Sequence, residues 1–121
     1  MASKAETMNR NSDFRRVYAR GRSFTNPALV TYVKKNRAGI CRLGITSSKK
    51  IGNAVERNRS RRLIRDAFRD IYGIHADQLQ GYDIIFVARV KTRFRKSTDL
   101  SKIMEKHLRE AGLLTENRGS V

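Results

Sequence analysis

The chain has 121 residues and a single cysteine, enough for one small core and too little for an internal disulfide. Its 27 Lys+Arg against 11 Asp+Glu give a formal charge of +16, far beyond what solubility requires, and point to a polyanionic partner. Eighteen arginines to nine lysines favour nucleic acid over a membrane surface, because the planar guanidinium pairs with phosphate and stacks on bases.

Residues 1–10 are polar and aperiodic, without the apolar core of a secretory signal, and residues 115–121 are similar. Two loose ends are therefore expected around a single domain over 11–114, in the cytoplasm, since no run of about 18 apolar residues exists to span a bilayer. In NSDFRRVYARG (11–21), Phe14, Val17 and Tyr18 recur at helical spacing, with Asn11 or Ser12 to cap the start and Gly21 to end it. Arg15, Arg16 and Arg20 make the back of this helix basic.

Asn26-Pro27 is a break before the β-branched and aromatic run ALVTYV (28–33). Residues 36–39 read as a turn, and ICRLGITSS (40–48) as the returning strand of a hairpin. Cys41 in that strand reads as a small buried residue rather than a reactive thiol, and with only His75 and His107 beside it there is no cluster spaced for zinc.

Asn53 followed by Glu56 forms a capping box, so a long second helix starts near Ala54, with Gly73 as its expected stop. YDIIFVARV (82–90) is almost continuously apolar, as in a strand covered on both faces. A strand, a long helix and another strand predict a crossover between parallel strands. Finally, STDLSKIMEKHLREAGLL (97–114) places Leu100, Ile103, Met104, His107, Leu108 and Ala111 on one stripe, a packing helix capped by Ser97 or Thr98.

The second helix carries six arginines between positions 57 and 69. At about 100° per residue, Leu63, Ile64, Ala67, Phe68 and Ile71 fall on one arc that faces the sheet. Asn58, Arg61, Arg62, Arg65 and Arg69 fall on a neighbouring flank, with Arg59 farther round and Arg57 at the helix entrance. Like charges this close cost a few tenths of a kcal/mol per pair, and Asp66 and Asp70 relieve only part of it. A charge run is usually a solvated face, but a purely structural helix gains nothing from this one, so nucleic-acid binding is expected. Asp66 and Asp70 stand one turn apart and could share a metal in a protein-only nuclease; among so many arginines they read as salt-bridge partners. Phe14, Tyr18 and Tyr32 either stack unpaired bases, worth about 1 to 3 kcal/mol per base, or fill the core, and spacing alone does not choose.

LGITSSKKIGNAVERNRSRRLIRDAFR (43–69) closely resembles the signature segment of the protein subunit of bacterial ribonuclease P, centred on its RNR motif, here Arg57-Asn58-Arg59. The resemblance extends to FRRVYARGRSFTNPALVTY (14–32) and YDIIFVAR (82–89), with the last helix agreeing in type only. It implies an α+β fold, a small two-layer α/β sandwich like the second domain of ribosomal protein S5. The implied order is α-β-β-β-α-β-α, with a left-handed β-α-β crossover against the usual right-handed preference.

It also implies a ribonucleoprotein in which a large catalytic RNA, holding magnesium, removes the 5′ leader of precursor tRNA. This chain is then a non-catalytic, RNA-binding accessory subunit, monomeric apart from RNA, with the magnesium held mainly by the RNA and no residue of this chain assigned to metal. Arg57, Asn58, Arg59, Arg62 and Arg65 match motif positions that contact the RNA subunit. Phe14, Tyr18 and Tyr32 match cleft positions that hold the single-stranded leader, with Ser48 and Lys49 at the cleft rim. A ribosomal protein or general RNA chaperone would share the charge without requiring the RNR segment together with the aromatic helix.

Overall fold

Tyr82–Ala88 sits at the middle of the fold, because a strand with Ile84, Ile85 and Phe86 in succession has no face to offer to water. The computed structural model of the chain describes residues 5–115. They form β1 (Glu6–Thr7), α1 (Asn11–Arg20), β2 (Arg22–Asn26), β3 (Leu29–Lys35) and β4 (Arg42–Thr46). A 3-10 turn (Lys49–Ile51), α2 (Ala54–Leu79), β5 (Tyr82–Ala88), a second 3-10 segment (Val90–Phe94) and α3 (Ser97–Glu110) follow. The strands make one sheet in the order β1-β4-β5-β3-β2. β1, β4 and β5 run parallel, and β3 is antiparallel to β5 and to β2. The parallel crossover from β4 through α2 to β5 is therefore present, and the class is α+β.

Alternation along the strands sorts two cores. Ile84 and Phe86 face the larger one with Leu29 and Val33 of β3, Ile64, Ala67, Phe68 and Ile71 of α2, and Leu100, Met104 and Leu108 of α3. Ile85 faces the other side, against Val17 of α1 and Met8. The two-layer description thus fits α2 and α3 on the sheet, while α1 partly covers the opposite face. In the larger core His107 is buried, its Nδ1 2.8 Å from the Thr31 hydroxyl, and burial lowers its pKa.

Several local expectations need correcting. β3 and β4 are not a hairpin: β5 lies between them, because a doubly covered strand takes partners on both edges. The hairpin is β2–β3, turned by Asn26-Pro27, with Asn26 Oδ1 accepting from Ala28 N at 2.8 Å. Asn11 and Ser12 lie inside α1, whose N-cap is Arg10 without a side-chain cap, and Ser97 and Thr98 lie inside α3. The capping box of Asn53 and Glu56 is present, but α2 continues past Gly73 to Leu79 through a kink at His75. Its last turn reaches the core, where Leu79 is fully buried, and that packing overrides an exposed glycine. At the N-terminal end, residues 6 and 7 pair with β4 and Met8 is buried. The expectation for residues 1–4 and 116–121 lies outside the described residues.

Two glycines give substitutions of opposite sign. A Cβ on Gly21 would stand 2.6 Å from the Val17 carbonyl oxygen and 2.8 Å from that of Val33, both backbone. Gly21→Ala should cost about 1 to 3 kcal/mol in chemical denaturation. A Cβ on Gly73 meets nothing, so Gly73→Ala should add about 0.5 to 1 kcal/mol by removing a helical glycine. Since the folded pKa of His107 lies below its ordinary value of about 6.5, the unfolded chain binds a proton first as pH falls. Stability should therefore drop on acidification below about 6.5, and His107→Gln should flatten that dependence in denaturation curves.

Candidate nucleic-acid interface

On the α1 face, the wholly buried Val17 fixes the helix roll and leaves Phe14 and Tyr18 together on one side. The Phe14 and Tyr18 ring centroids are 6.3 Å apart, and Tyr18 meets Tyr32 of β3 edge-on at 4.9 Å. Gly44 of β4 makes this possible, because a Cβ there would come within 2.6 Å of the Phe14 ring. The Tyr18 hydroxyl lies 3.4 Å from Thr46 Oγ1, and Asn11, Phe14, Arg15, Tyr18 and Thr46 line a groove of about 420 Å³. Phe14 and Tyr32 are half-buried and pack on the Met8, Val17 and Ile85 cluster while Tyr18 is 39% exposed, so the rings cover the smaller core and also present a face to the groove. Ser48 and Lys49 do not line this groove; they follow Thr46 along the chain and are exposed.

The arginine flank of α2 divides by role. Arg57 is half-buried and donates from Nη1 to the Gly52 carbonyl at 2.8 Å, closing the turn that leads into the helix. Arg61, reached by no sequence argument as a special residue, bridges two elements: Nη1 donates to Ser47 Oγ at 2.6 Å and Nη2 to Asn58 Oδ1. Arg59, Arg62 and Arg65 are exposed and make no ion pair among the described residues, whereas Arg69 pairs with Asp66 at 3.4 Å. The buried arc is Ser60, Ile64, Ala67, Phe68, Ile71 and Tyr72, with Leu63 half-buried.

The two surfaces meet at residues 46–48. Tyr18 touches Thr46 from the groove, and Arg61 holds Ser47 from the helix. Arg93 braces the turn that leads into α2, donating to the Ile51 carbonyl and pairing with Glu56 at 3.5 Å. Its guanidinium also lies 4.7 Å from the centroid of Phe94, which is 70% exposed, a ring that periodicity could not single out because it ends a 3-10 segment of only five residues. Arg89 reaches back to the Asn26 carbonyl at 3.3 Å and braces the β2–β3 turn.

Among the described residues no three His, Cys, Asp or Glu side chains gather where a metal could bind, and no helix is long and apolar enough to cross a membrane. Cys41 is 1% exposed, and burial, with the nearby Asp83 charge, pushes its thiol pKa up to about 12.

An uncompensated arginine flank beside a half-buried aromatic groove, both carried on one mixed sheet, defines an α+β nucleic-acid-binding module. Residues 2–112 match the family model described as Ribonuclease P. The chain is 40% identical over 110 residues to the ribonuclease P protein component of Clostridium botulinum strain Loch Maree, covering 91% of this chain and 97% of that one. It is 43% identical over 100 residues to that of Clostridioides difficile strain 630, covering 83% and 86%. Among solved structures, the RNase P protein of Staphylococcus aureus superposes with a TM-score of 0.75 at 34% identity, covering 93% of this chain and all of that one. The Thermotoga maritima RNase P protein gives 0.72 at 27%, covering 87% and 96%. The chain belongs to the ribonuclease P protein family, and with it to the machinery of tRNA processing.

Two outcomes check this division of roles. Arg57→Ala should cost about 1 to 2 kcal/mol in denaturation, since it orphans the Gly52 carbonyl, whereas Arg62→Ala should change stability by less than about 0.5 kcal/mol. Cys41 should resist thiol reagents at mildly alkaline pH in the folded protein and react at once when the chain is unfolded.

Proposed function

We propose that the chain is the accessory subunit of a ribonucleoprotein that matures the 5′ ends of tRNAs, binding the catalytic RNA with α2 and the leader with α1. Arg59, Arg62 and Arg65 contact phosphates of the RNA subunit, and Arg57 and Asn58 shape the turn and hold Arg61 so that the flank is presented as one surface. Phe14, Tyr18 and Tyr32 stack on unpaired leader bases, and Ser48 and Lys49 stand at the rim toward the RNA subunit. The observation that carries this reading is the corner at 46–48, where the groove and the arginine flank join through Tyr18–Thr46 and Arg61–Ser47. A strand leaving a cleavage site on the RNA subunit would enter the groove there.

Catalysis then rests on differential binding. Precursor tRNA gains contacts that mature tRNA lacks, and the basic surface lowers repulsion between two polyanions. The magnesium used for hydrolysis is held mainly by the RNA in this reading. The left-handed crossover and the likeness to the second domain of ribosomal protein S5, a cytoplasmic location and a monomeric state apart from RNA complete the proposal.

The test uses the reconstituted holoenzyme. Phe14→Ala with Tyr18→Ala should weaken binding of precursor tRNA about tenfold or more, at about 1 to 3 kcal/mol per stacked base, and leave mature tRNA binding unchanged. Arg59→Ala, Arg62→Ala and Arg65→Ala together should weaken binding to the RNA subunit and lessen its salt dependence. Equal loss for precursor and mature tRNA, or undiminished affinity for the RNA subunit, would contradict the respective assignment.

A further inference from the structure

Across α1 from the aromatic groove, the same face of the sheet carries a second basic site. Arg16 and Arg20 of α1, Lys34 of β3, and Arg37, Arg42 and Asp83 line a pocket of about 410 Å³. Its floor is fixed. Asp83 is 2% exposed and accepts from Asn36 Nδ2 at 2.8 Å, with Arg42 Nε at 3.7 Å. Asn36 is held in turn, since its Oδ1 accepts from Gly39 N at 3.0 Å and its own backbone N donates to the Gly81 carbonyl at 2.8 Å. The loop that carries Arg37 is thereby anchored at both ends.

The acids here are already committed. Arg42 holds Asp13 at 2.6 Å besides facing Asp83, and Arg16 pairs with Asp13 at 3.4 Å. Arg20, Lys34 and Arg37 have no carboxylate partner among the described residues, yet they converge on one cavity. Lys34 Nζ donates only to the Lys35 carbonyl at 3.0 Å, so the three cations leave donors free for an anion, and their mutual repulsion through water is modest. The site lies outside both surfaces assigned above, at the Arg42 end of β4, whereas the corner at Thr46 is the other end.

We propose that this pocket binds backbone phosphates of the leader nucleotides farthest from the cleavage site, after the strand has left the aromatic groove and passed over α1. The proposal rests on the reading of that groove as the leader site. Tyr32 and Lys34 point to the same face of β3 two residues apart, roughly 7 Å along the strand, so groove and pocket share one floor with α1 lying across it. A strand that begins at the 46–48 corner and is stacked at Tyr18 and Tyr32 has the pocket next on its path. Two arginines and a lysine there suit charge-assisted bonds to phosphate and leave base identity unread.

The experiment combines Arg20→Gln, Lys34→Gln and Arg37→Gln, none of them a core residue, with thermal unfolding as the fold control. Reconstituted holoenzyme is titrated with mature tRNA, with a precursor whose short leader ends inside the groove, and with one whose leader extends past α1, across a salt series. The triple variant should bind the long-leader precursor about tenfold more weakly. Its log-affinity against log-salt slope should fall by about 2, at about 0.7 per phosphate lost. Binding to the short-leader precursor, mature tRNA and RNA subunit should be unchanged. Unchanged affinity for the long leader, equal weakening for both leaders, or lost affinity for the RNA subunit would each overturn the proposal. The Phe14→Ala and Tyr18→Ala pair is measured alongside. If it spares every precursor, the groove reading fails on its own, and the result for the triple variant still decides the pocket.

Discussion

The constraint on which the structure depends is that β5 must be covered on both faces and paired on both edges. Ile84, Ile85 and Phe86 are completely buried and adjacent, so alternation sends apolar side chains to both sides of the sheet. One side is satisfied by α2 and α3, the other by α1 and Met8. The edges are satisfied by β3 and β4, and because β4 runs parallel to β5 the chain between them must cross over, which is the work of α2.

The arginine flank and the aromatic groove follow from that arrangement. A ten-residue helix such as α1 is about 15 Å long and covers only part of a five-stranded sheet. The uncovered part, floored by Gly44 and Tyr32, becomes a groove with aromatic walls. The crossover brings the start of α2 to the end of β4, so the entrance of the arginine helix sits beside that groove rather than across the molecule. Arg61 converts proximity into rigidity by tying Ser47 to Asn58. Preorganised cations and rings lose less conformational entropy on binding than mobile ones.

Much of this was legible in the residues. Asn53 and Glu56 announced the start of α2, the apolar run at 82–90 announced a doubly covered strand, and the helical projection separated the packed arc of α2 from its charged flank. Other features depend on tertiary context that one sequence does not display. The neighbour of a strand is chosen by the whole sheet, so pairing β3 with β4 by adjacency failed when β5 came between them. Gly73 and Asn11 have local preferences worth about 1 kcal/mol, less than the packing that extends α2 to Leu79 and places Arg10 at the N-cap. Gly44 and Arg61 matter through contacts to Phe14 and Ser47 that are 30 and 14 residues away in the chain, so spacing carries no sign of them. For Phe14, Tyr18 and Tyr32 spacing left core and surface places open, and the fold puts Phe14 and Tyr32 against the smaller core with Tyr18 more exposed beside them.

The central proposal is that two adjoining surfaces, the α1 groove and the α2 flank, serve two different RNAs. Site-specific photo-crosslinking in the reconstituted holoenzyme with precursor tRNA tests it most directly, using a photoreactive side chain at position 18 in one sample and at position 62 in another. Crosslinks from position 18 to the 5′ leader and from position 62 to the catalytic RNA are the predicted result. Crosslinks from both positions to the same RNA would contradict it.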